Sequence, residues 1–178
     1  MVYRISGTEL AYQAVSGGYI GIPYSDLDCQ GFVEEVLKDC GVRKPDGTPY
    51  NWRGSNSMWR NYIKWKGTIE ECIKKFGDIP LGAFLFLVKH DGGEEERGYH
   101  DKEGNASHVG LYVGSTRPMP CMDSQGNRGV SYCELKVFTH VGLMAMVDYD
   151  NPSEQSPNKE EALKALETLT KFVQEVNI

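Results

Sequence analysis

The chain has 178 residues, of which 40% are hydrophobic and 25% are charged, a composition typical of one globular domain or of one domain with a short appendage. The formal charge of -6 disfavours a nucleic-acid-binding protein, because such proteins usually carry a basic balance. No apolar run approaches the roughly 20 residues of a membrane-spanning helix, and residues 1–18 lack the basic and apolar segments of a secretory signal.

The N-terminal half of the chain is predicted to be helical. Loops that contain Gly and Pro separate the helical segments and mark their ends. The helix over 29–40 has the clearest pattern, since its apolar residues recur at helical spacing between Asp28, a suitable N-cap, and Gly41, a suitable stop. The other predicted helices cover 7–16, a segment from Ser55 or Ser57 to about Trp65, and 68–76.

The pattern then changes to one of strands. An apolar run at 83–89 predicts a buried strand, and alternating residues at 107–114 predict a second one after a long polar loop at 90–106. Shorter strands are expected over 119–124, 129–136 and 141–148. Helices that precede antiparallel strands indicate an α+β fold.

Residues 151–178 are predicted to be an appendage to a domain that covers 1–150. A polar linker over 151–158 contains Pro and Ser, and the apolar residues that follow recur at helical spacing. The sequence therefore predicts a terminal amphipathic helix. The favoured interpretation is that this helix docks on its own domain. The alternatives are a dimer contact or a stalk toward another module, so the oligomeric state stays open.

One of the five cysteines stands out by its position. An odd number without a C-x-x-C motif disfavours a disulfide framework and a zinc ribbon, so reduced and mostly buried thiols are expected. Cys29, however, lies in the first turn of the helix over 29–40, where free N–H groups and a positive partial charge favour a thiolate and can stabilise an oxyanion. Cys29 is therefore a candidate nucleophile, and a buried structural cysteine fits the same pattern equally well.

A thiolate nucleophile needs a base, and the chain offers four histidines. His90 and His100 fall in or beside the polar loop, and His140 has no distinctive neighbours. Alternation places His108 and Gly110 on the face of their strand opposite the apolar residues, so the glycine is expected to let another group approach the imidazole. His108 is therefore the candidate base.

Two segments follow each other in a distinctive order, LDCQGFV at 27–33 and SHVGLYVG at 107–114, with the apolar strand GAFLF at 82–86 between them. Together they resemble the NlpC-type, papain-like cysteine peptidases, which cleave the short peptides of bacterial cell-wall peptidoglycan. That family carries Asp-Cys-small-Gly-Phe-Val on a helix and His-Val-Gly-apolar-Tyr on a strand. The resemblance spans about 19–148, and two features depart from it: Gln30, where Ser is commoner, and the long acidic loop at 90–106.

The resemblance implies a papain-like fold with a catalytic triad. Cys29 would be the nucleophile and His108 the base. Asp123, on the strand after the histidine strand, would orient the imidazole, with Gln125 in reserve. The backbone N–H of Cys29 would contribute to the oxyanion site, and no cofactor or metal is implied. The other candidates for the oxyanion or substrate-binding site are Tyr24, Asp28, Gln30, Ser107 and Gln125.

The resemblance also implies the substrate, an amide bond in a peptidoglycan stem peptide or cross-bridge. Without a secretory signal, the protein is expected to be made in the bacterial cytoplasm and to act at the wall as a phage-type enzyme, or on recycled wall peptides. Two alternatives remain open: the same fold acting as another amidase or acyltransferase, and a non-catalytic wall-binding or phage structural module. A zinc site formed by His100, Asp101, His108 and Asp123 is disfavoured, because these residues lack a compact ligand spacing.

The segment 50–67 interleaves aromatic and basic residues and contains no acid. Such a segment can bind nucleic acid, or it can lie against the sugars and carboxylates of a wall fragment. Trp59, Tyr62 and Ile63 also have helical core spacing. This spacing favours an amphipathic helix that packs its aromatic side chains.

Overall fold

The computed structural model describes residues 4–90, 99–114 and 118–149, and these residues form an α+β fold. The predicted linker and terminal helix over 151–178 lie outside the described residues. The helices are α1 (Gly7–Ser16), α2 (Cys29–Asp39), α3 (Ser55–Asn61) and α4 (Ile69–Phe76). The strands are β1 (Ile5–Ser6), β2 (Ile63–Thr68), β3 (Phe84–Lys89), β4 (Asn105–Tyr112), β5 (Cys121–Gln125), β6 (Gly129–Cys133), β7 (His140–Met144) and β8 (Val147–Asp148).

Six strands form one antiparallel sheet in the order β2–β7–β3–β4–β5–β6. β1 and β8 form a separate parallel pair. The strands that carry His108 and Asp123, β4 and β5, are therefore neighbours. Within the described ranges, the structure contains no helix with the length and apolar character needed to cross a membrane.

Side-chain caps define the start of three helices. Ser6 begins α1 and Thr68 begins α4, each within a capping box completed by a glutamate three residues later. Asp28 caps α2, since its carboxylate accepts a hydrogen bond from the Gly31 N–H at 2.6 Å. The bounds of these helices agree within one residue with the predicted 7–16, 29–40 and 68–76.

The predicted third helix is wrong in its second half. α3 ends at Asn61, and the chain continues as β2, a strand at the edge of the sheet. β2 pairs with β7, and the Trp65 ring packs against Phe76 of α4 with 5.0 Å between the ring centroids. Pairing with a strand that is distant in sequence decides the conformation here, and a local helical pattern does not reveal it.

The predicted strands are present with changes at their ends. β4 begins at Asn105, inside the predicted loop at 90–106. A 3-10 turn at Leu135–Val137 takes up the end of the predicted strand over 129–136. A turn at 145–146 divides the last predicted strand into β7 and β8, and the short β1 was not predicted.

Both faces of the sheet are covered. On one face, residues of α1, α2 and α3, such as Phe32, lie in a buried cluster with Phe86 of β3. On the other face, Cys72 of α4 and Phe138 lie in a second cluster with Leu85. Consecutive β3 residues therefore alternate between two buried clusters, as expected for a strand with helices or loops on both sides.

The face of β4 that carries His108 and Gly110 is buried, although the alternation predicted an open face. A Cβ on Gly110 would lie 2.6 Å from Phe138 Cζ, so the glycine makes room for this ring. The Phe138 ring also stacks on His108, with centroids 5.6 Å apart and an angle of 4° between the planes. The group that approaches the imidazole at Gly110 is thus an aromatic ring of the same chain.

β4 contains a bulge at Ser107. Leu87 pairs with His108 and Val88 pairs with Ala106, so Ser107 has no partner in the β3 register. A bulge bends its strand and re-aims the neighbouring side chains. This bulge lies immediately before His108, and from there on the predicted alternation is confirmed, because Val109 and Leu111 lie in one buried cluster and Tyr112 lies in the other.

Candidate active site

The N-terminus of α2 is held against the sheet by the loop that precedes it. The Leu27 carbonyl accepts a hydrogen bond from the Ser124 hydroxyl of β5. Two backbone hydrogen bonds join the same loop to Val130 of β6. These contacts fix Cys29, the first residue of α2, beside the strands β5 and β6.

The Cys29 side chain contacts two groups that can exchange a proton with it. Cys29 raises the pKa of the His108 imidazole and of the Tyr24 hydroxyl, so both groups lie close to its sulfur. His108 Nε2 lies 2.8 Å from Asp123 Oδ2. Because the carboxylate occupies Nε2, Nδ1 is the ring nitrogen left for the thiol. The structure therefore brings Cys29, His108 and Asp123 together, with a hydrogen bond between His108 and Asp123.

The surroundings of His108 favour the charged ring. Burial by itself lowers the pKa of His108, but the hydrogen bonds and negative charges of Asp123 and Cys29 outweigh burial and raise it to about 9. The ring is therefore an imidazolium at neutral pH. In this form it stabilises a thiolate beside it and can donate a proton.

Asp123 is fully buried and accepts hydrogen bonds from a second cation. Arg128 donates to its two carboxylate oxygens at 3.2 and 3.4 Å. A buried carboxylate needs such compensation, because the loss of hydration is costly. Gln125, the reserve candidate, is exposed and accepts a hydrogen bond from Arg128 at 2.8 Å. Asp123, and not Gln125, therefore occupies the position beside the imidazole.

The sequence analysis missed Arg128. This residue ends a 3-10 turn, Gly126–Arg128, that joins β5 to β6. Gly126 and Gly129, on either side of it, have φ values of 37° and 61°, in the left-handed region that favours glycine. The turn folds the guanidinium back over β5. A basic residue between two turn glycines, directly after the strand of Asp123, is the signal that could have identified it.

Tyr24 and the first turn of α2 supply hydrogen-bond donors near the thiol. Burial, followed by the negative charges of Cys29 and Asp28, raises the pKa of Tyr24, so its hydroxyl keeps its proton. The Asp28 cap takes the Gly31 N–H. The Cys29 N–H precedes the intrahelical ladder and is a second donor available to an oxyanion.

Asp28, Gln30 and Ser107 support the framework around the thiol. Asp28 caps α2. Gln30 donates to Glu34 at 2.8 Å and to the Trp52 carbonyl, and the Trp52 N–H donates to Glu34. Glu34, which the sequence analysis did not single out, thereby ties α2 to the loop before α3. The exposed Ser107 hydroxyl donates to a β3 carbonyl at 3.3 Å.

Three of the other cysteines, Cys40, Cys72 and Cys133, lie in environments that disfavour a thiolate. All five cysteines are free thiols. Burial raises the pKa of Cys40 to about 11 and that of Cys72 to about 12. A hydrogen bond with Cys121, then burial, raises the pKa of Cys133. Cys29 differs from these thiols because it has an imidazolium as its neighbour.

Among residues 4–90, 99–114 and 118–149, no group of three or more His, Cys, Asp or Glu side chains is arranged to hold a metal ion. Asp101 forms two hydrogen bonds of 2.8 Å with Arg60. His100 is exposed, and His108 is bonded to Asp123. The zinc cluster considered from the sequence is therefore not assembled.

Most of the aromatic and basic segment 50–67 is used for packing. Trp52 and Trp59 are buried. Arg60 and Lys66 form ion pairs with carboxylates of the turn at 101–104. Arg53 instead is exposed and lines a pocket. The packing interpretation is thus correct for Trp59 of α3, but Ile63 lies on β2 and not on a helix. Arg53 forms no ion pair within the described residues.

Comparison of the chain with protein-family models, with curated proteins and with solved structures finds no match. The comparisons therefore supply no relative from which a function can be inferred. The functional argument depends on the motifs of the sequence and on the geometry of the described residues.

Proposed function

We propose that the protein is a papain-like cysteine hydrolase that cleaves amide bonds in peptidoglycan stem peptides or cross-bridges. The contact of Cys29 with His108, whose Nε2 is bound by Asp123, is the observation that carries the proposal. A thiol beside one ring nitrogen and a carboxylate at the other is the arrangement of an acyl-transfer triad. The choice of a wall substrate depends on the resemblance of the two motifs to the NlpC-type peptidases.

Acylation begins with attack of the Cys29 thiolate on the carbonyl carbon of the amide. The Cys29 N–H and the Tyr24 hydroxyl stabilise the oxyanion that forms. His108 donates its Nδ1 proton to the amide nitrogen, the C–N bond breaks, and the amine leaves. The acyl group remains on Cys29 as a thioester, while Asp123 keeps the imidazole in position.

Deacylation uses a water molecule and the same residues. Neutral His108 takes a proton from the water at Nδ1, and the resulting hydroxide attacks the thioester carbon. The C–S bond then breaks, and the acyl group leaves as a carboxylic acid. The imidazolium and the thiolate are restored, so the cycle needs no cofactor.

The proposal is tested by incubating purified peptidoglycan sacculi with the wild-type protein, Cys29→Ala and Cys40→Ala. Cys40 is a matched control, because it is a half-buried thiol at the other end of α2. We expect new amino and carboxyl ends in equal amounts with the wild-type protein and with Cys40→Ala. With Cys29→Ala we expect none, because the thiol that contacts His108 is absent.

The same experiment separates the two alternatives. Acyl transfer to an added amine without new carboxyl ends would favour an acyltransferase. Binding of the wild-type protein to sacculi without any released ends would favour a non-catalytic module. Cleavage of soluble wall peptides, with intact sacculi left unchanged, would favour a role in recycling.

A further inference from the structure

Two pockets of opposite charge are lined by residues that directly flank Cys29 or His108 in the chain. The first, which we call the acidic pocket, has a volume of about 490 Å³ and includes the carboxylates of Asp26, Asp28 and Glu34 in its lining. The second, the basic pocket, has a volume of about 330 Å³ and includes the cationic side chains of Arg53 and Lys89. None of the described residues that line the basic pocket is acidic.

The basic pocket adjoins the candidate active site at two points. Ser107, which lines it, directly precedes His108 on β4. Gly54, which also lines it, faces Gln30, since a Cβ on Gly54 would lie 4.0 Å from Gln30 Oε1. Gln30 directly follows Cys29. The basic pocket is therefore lined by the residue that precedes His108 and lies against the side chain of the residue that follows Cys29.

The walls of the basic pocket are held by buried hydrogen bonds. The Asn56 side chain donates to Asn105 at 2.7 Å and accepts from the Ala106 N–H at 2.8 Å. The Tyr99 ring lies under the Arg60 guanidinium, with 4.9 Å from Cζ to the ring centroid. These contacts form the pocket before a ligand arrives, which lowers the cost of ordering it on binding.

Within the described residues, no carboxylate pairs with the cationic side chains that line the basic pocket. Arg60 and Lys66, which are nearby, form ion pairs with Asp101 and Glu103. Arg53 and Lys89 have no ion-pair partner within the part of the chain that the structure describes, and both are exposed. A guanidinium and an ammonium on one pocket wall match a carboxylate, which can accept hydrogen bonds from both.

We propose that the basic pocket is a subsite for a free carboxylate on the residue that leaves as the amine. This inference rests on the proposed function and adds a substrate class to it. His108 protonates the leaving nitrogen, so the leaving residue lies on the imidazole side, where Ser107 opens the basic pocket. The acidic pocket repels the same carboxylate. The substrate is therefore an amide whose amine component is an amino acid or peptide with a carboxylate close to the scissile bond.

The test uses two peptides that differ at one group, a carboxylate or a carboxamide on the amine-side residue. For the wild-type protein we expect kcat/KM to favour the carboxylate peptide about 10- to 100-fold, mainly through KM, as for a charge-assisted hydrogen bond. In Arg53→Gln with Lys89→Gln we expect this ratio to fall to near unity. Lys74→Gln with Lys75→Gln removes the same two positive charges from the exposed surface of α4 and should keep the wild-type ratio.

Equal cleavage of both peptides by the wild-type protein, or a ratio that survives in the double variant, would overturn the inference. Ligand-observed NMR on the same variants measures binding of the free amine-side fragment. This measurement separates the subsite inference from the proposed function. Selective binding of the carboxylate fragment without turnover of either peptide would count against the hydrolase and in favour of the subsite. Turnover of both peptides without carboxylate selectivity would support the hydrolase and count against the subsite.

Discussion

At the scale of single residues, Asp123 joins the parts of the candidate site. It is fully buried, binds His108 Nε2 at 2.8 Å and accepts two hydrogen bonds from Arg128. Through these contacts one carboxylate sets the orientation of the imidazole and is itself balanced by a guanidinium. The effect of removing it is therefore expected to extend beyond the loss of one hydrogen bond.

We expect Asp123→Ala to lower kcat about 10²- to 10⁴-fold, because the imidazole loses its fixed orientation while the thiol and the oxyanion donors remain. Asp123→Asn keeps a hydrogen-bond acceptor for Nε2–H and should recover part of this loss. Gln125→Ala, at the exposed neighbour, should retain wild-type turnover. Steady-state kinetics with matched circular dichroism spectra check this order. A large loss of kcat in Gln125→Ala, together with wild-type kcat in Asp123→Ala, would contradict this order.

The raised pKa of His108, about 9, predicts an alkaline limit on activity. In the proposed mechanism the charged ring is the acid that protonates the leaving nitrogen, so kcat/KM should fall as the pH rises through about 9. In Asp123→Asn the negative charge beside the ring is lost, so burial outweighs the remaining contacts and lowers the pKa of His108. The fall of kcat/KM should then occur at lower pH. The pH profile of kcat/KM for both proteins measures the shift. If kcat/KM of Asp123→Asn falls at the same alkaline pH as that of the wild-type protein, the carboxylate does not set the charge of the ring.

At the scale of elements, the start of α2 carries both a structural and a chemical role. The Asp28 carboxylate accepts from the Gly31 N–H at 2.6 Å, and a Cβ on Gly31 would lie 3.2 Å from it. Glycine at position 31 therefore leaves room for the cap. The cap fixes the turn that presents Cys29.

Asp28→Ala should lower the free energy of unfolding by about 0.5–2 kcal/mol, because the helix loses its N-cap. Asp28→Asn, which can still cap the helix, should keep most of the stability. Thr68→Ala is the control, since it removes the side-chain cap of α4 on the other face of the sheet. Urea titrations give the free energies of unfolding. If Asp28→Ala slows the alkylation of Cys29 no more than Thr68→Ala does, the cap does not position the thiol.

The elements also differ in how well the sequence predicted them. Helices with side-chain caps and apolar stripes, such as α2 and α4, are determined by neighbouring residues and were predicted closely. β2 was missed because its conformation depends on β7, which lies far along the chain. The bulge at Ser107 was missed for a similar reason, since it exists only as a mismatch between β3 and β4.

At the scale of the whole molecule, the candidate site joins residues from distant parts of the chain. The motifs predicted Cys29, His108 and Asp123 as partners, and the sheet order makes β4 and β5 neighbours. Arg128 and Glu34 were missed because their contacts depend on a turn and on a loop that no motif specifies. Local patterns thus predicted which candidate residues come together better than the contacts that support them.

A chain that ends at Asp150 is expected to keep the fold and most of its turnover. The described fold closes at Tyr149, whose hydroxyl accepts from the Met144 N–H at 3.1 Å, and at the β1–β8 pair. Thermal unfolding and turnover of this shortened chain, beside those of the full chain, give the comparison. A shortened chain that stays folded but inactive would show that 151–178 contributes to the site or to a required dimer.

The most direct test of the triad is the order in which the cysteines react with iodoacetamide at mildly acid pH, mapped by mass spectrometry. Cys29 is only 8% exposed, whereas Cys40 is half-buried, so exposure alone would make Cys40 react first. The contact with imidazolium His108 predicts the opposite order, because burial raises the pKa of Cys40 to about 11. We expect rapid labelling of Cys29 that His108→Ala abolishes. Faster labelling of Cys40, or labelling of Cys29 that is unchanged in His108→Ala, would contradict the account.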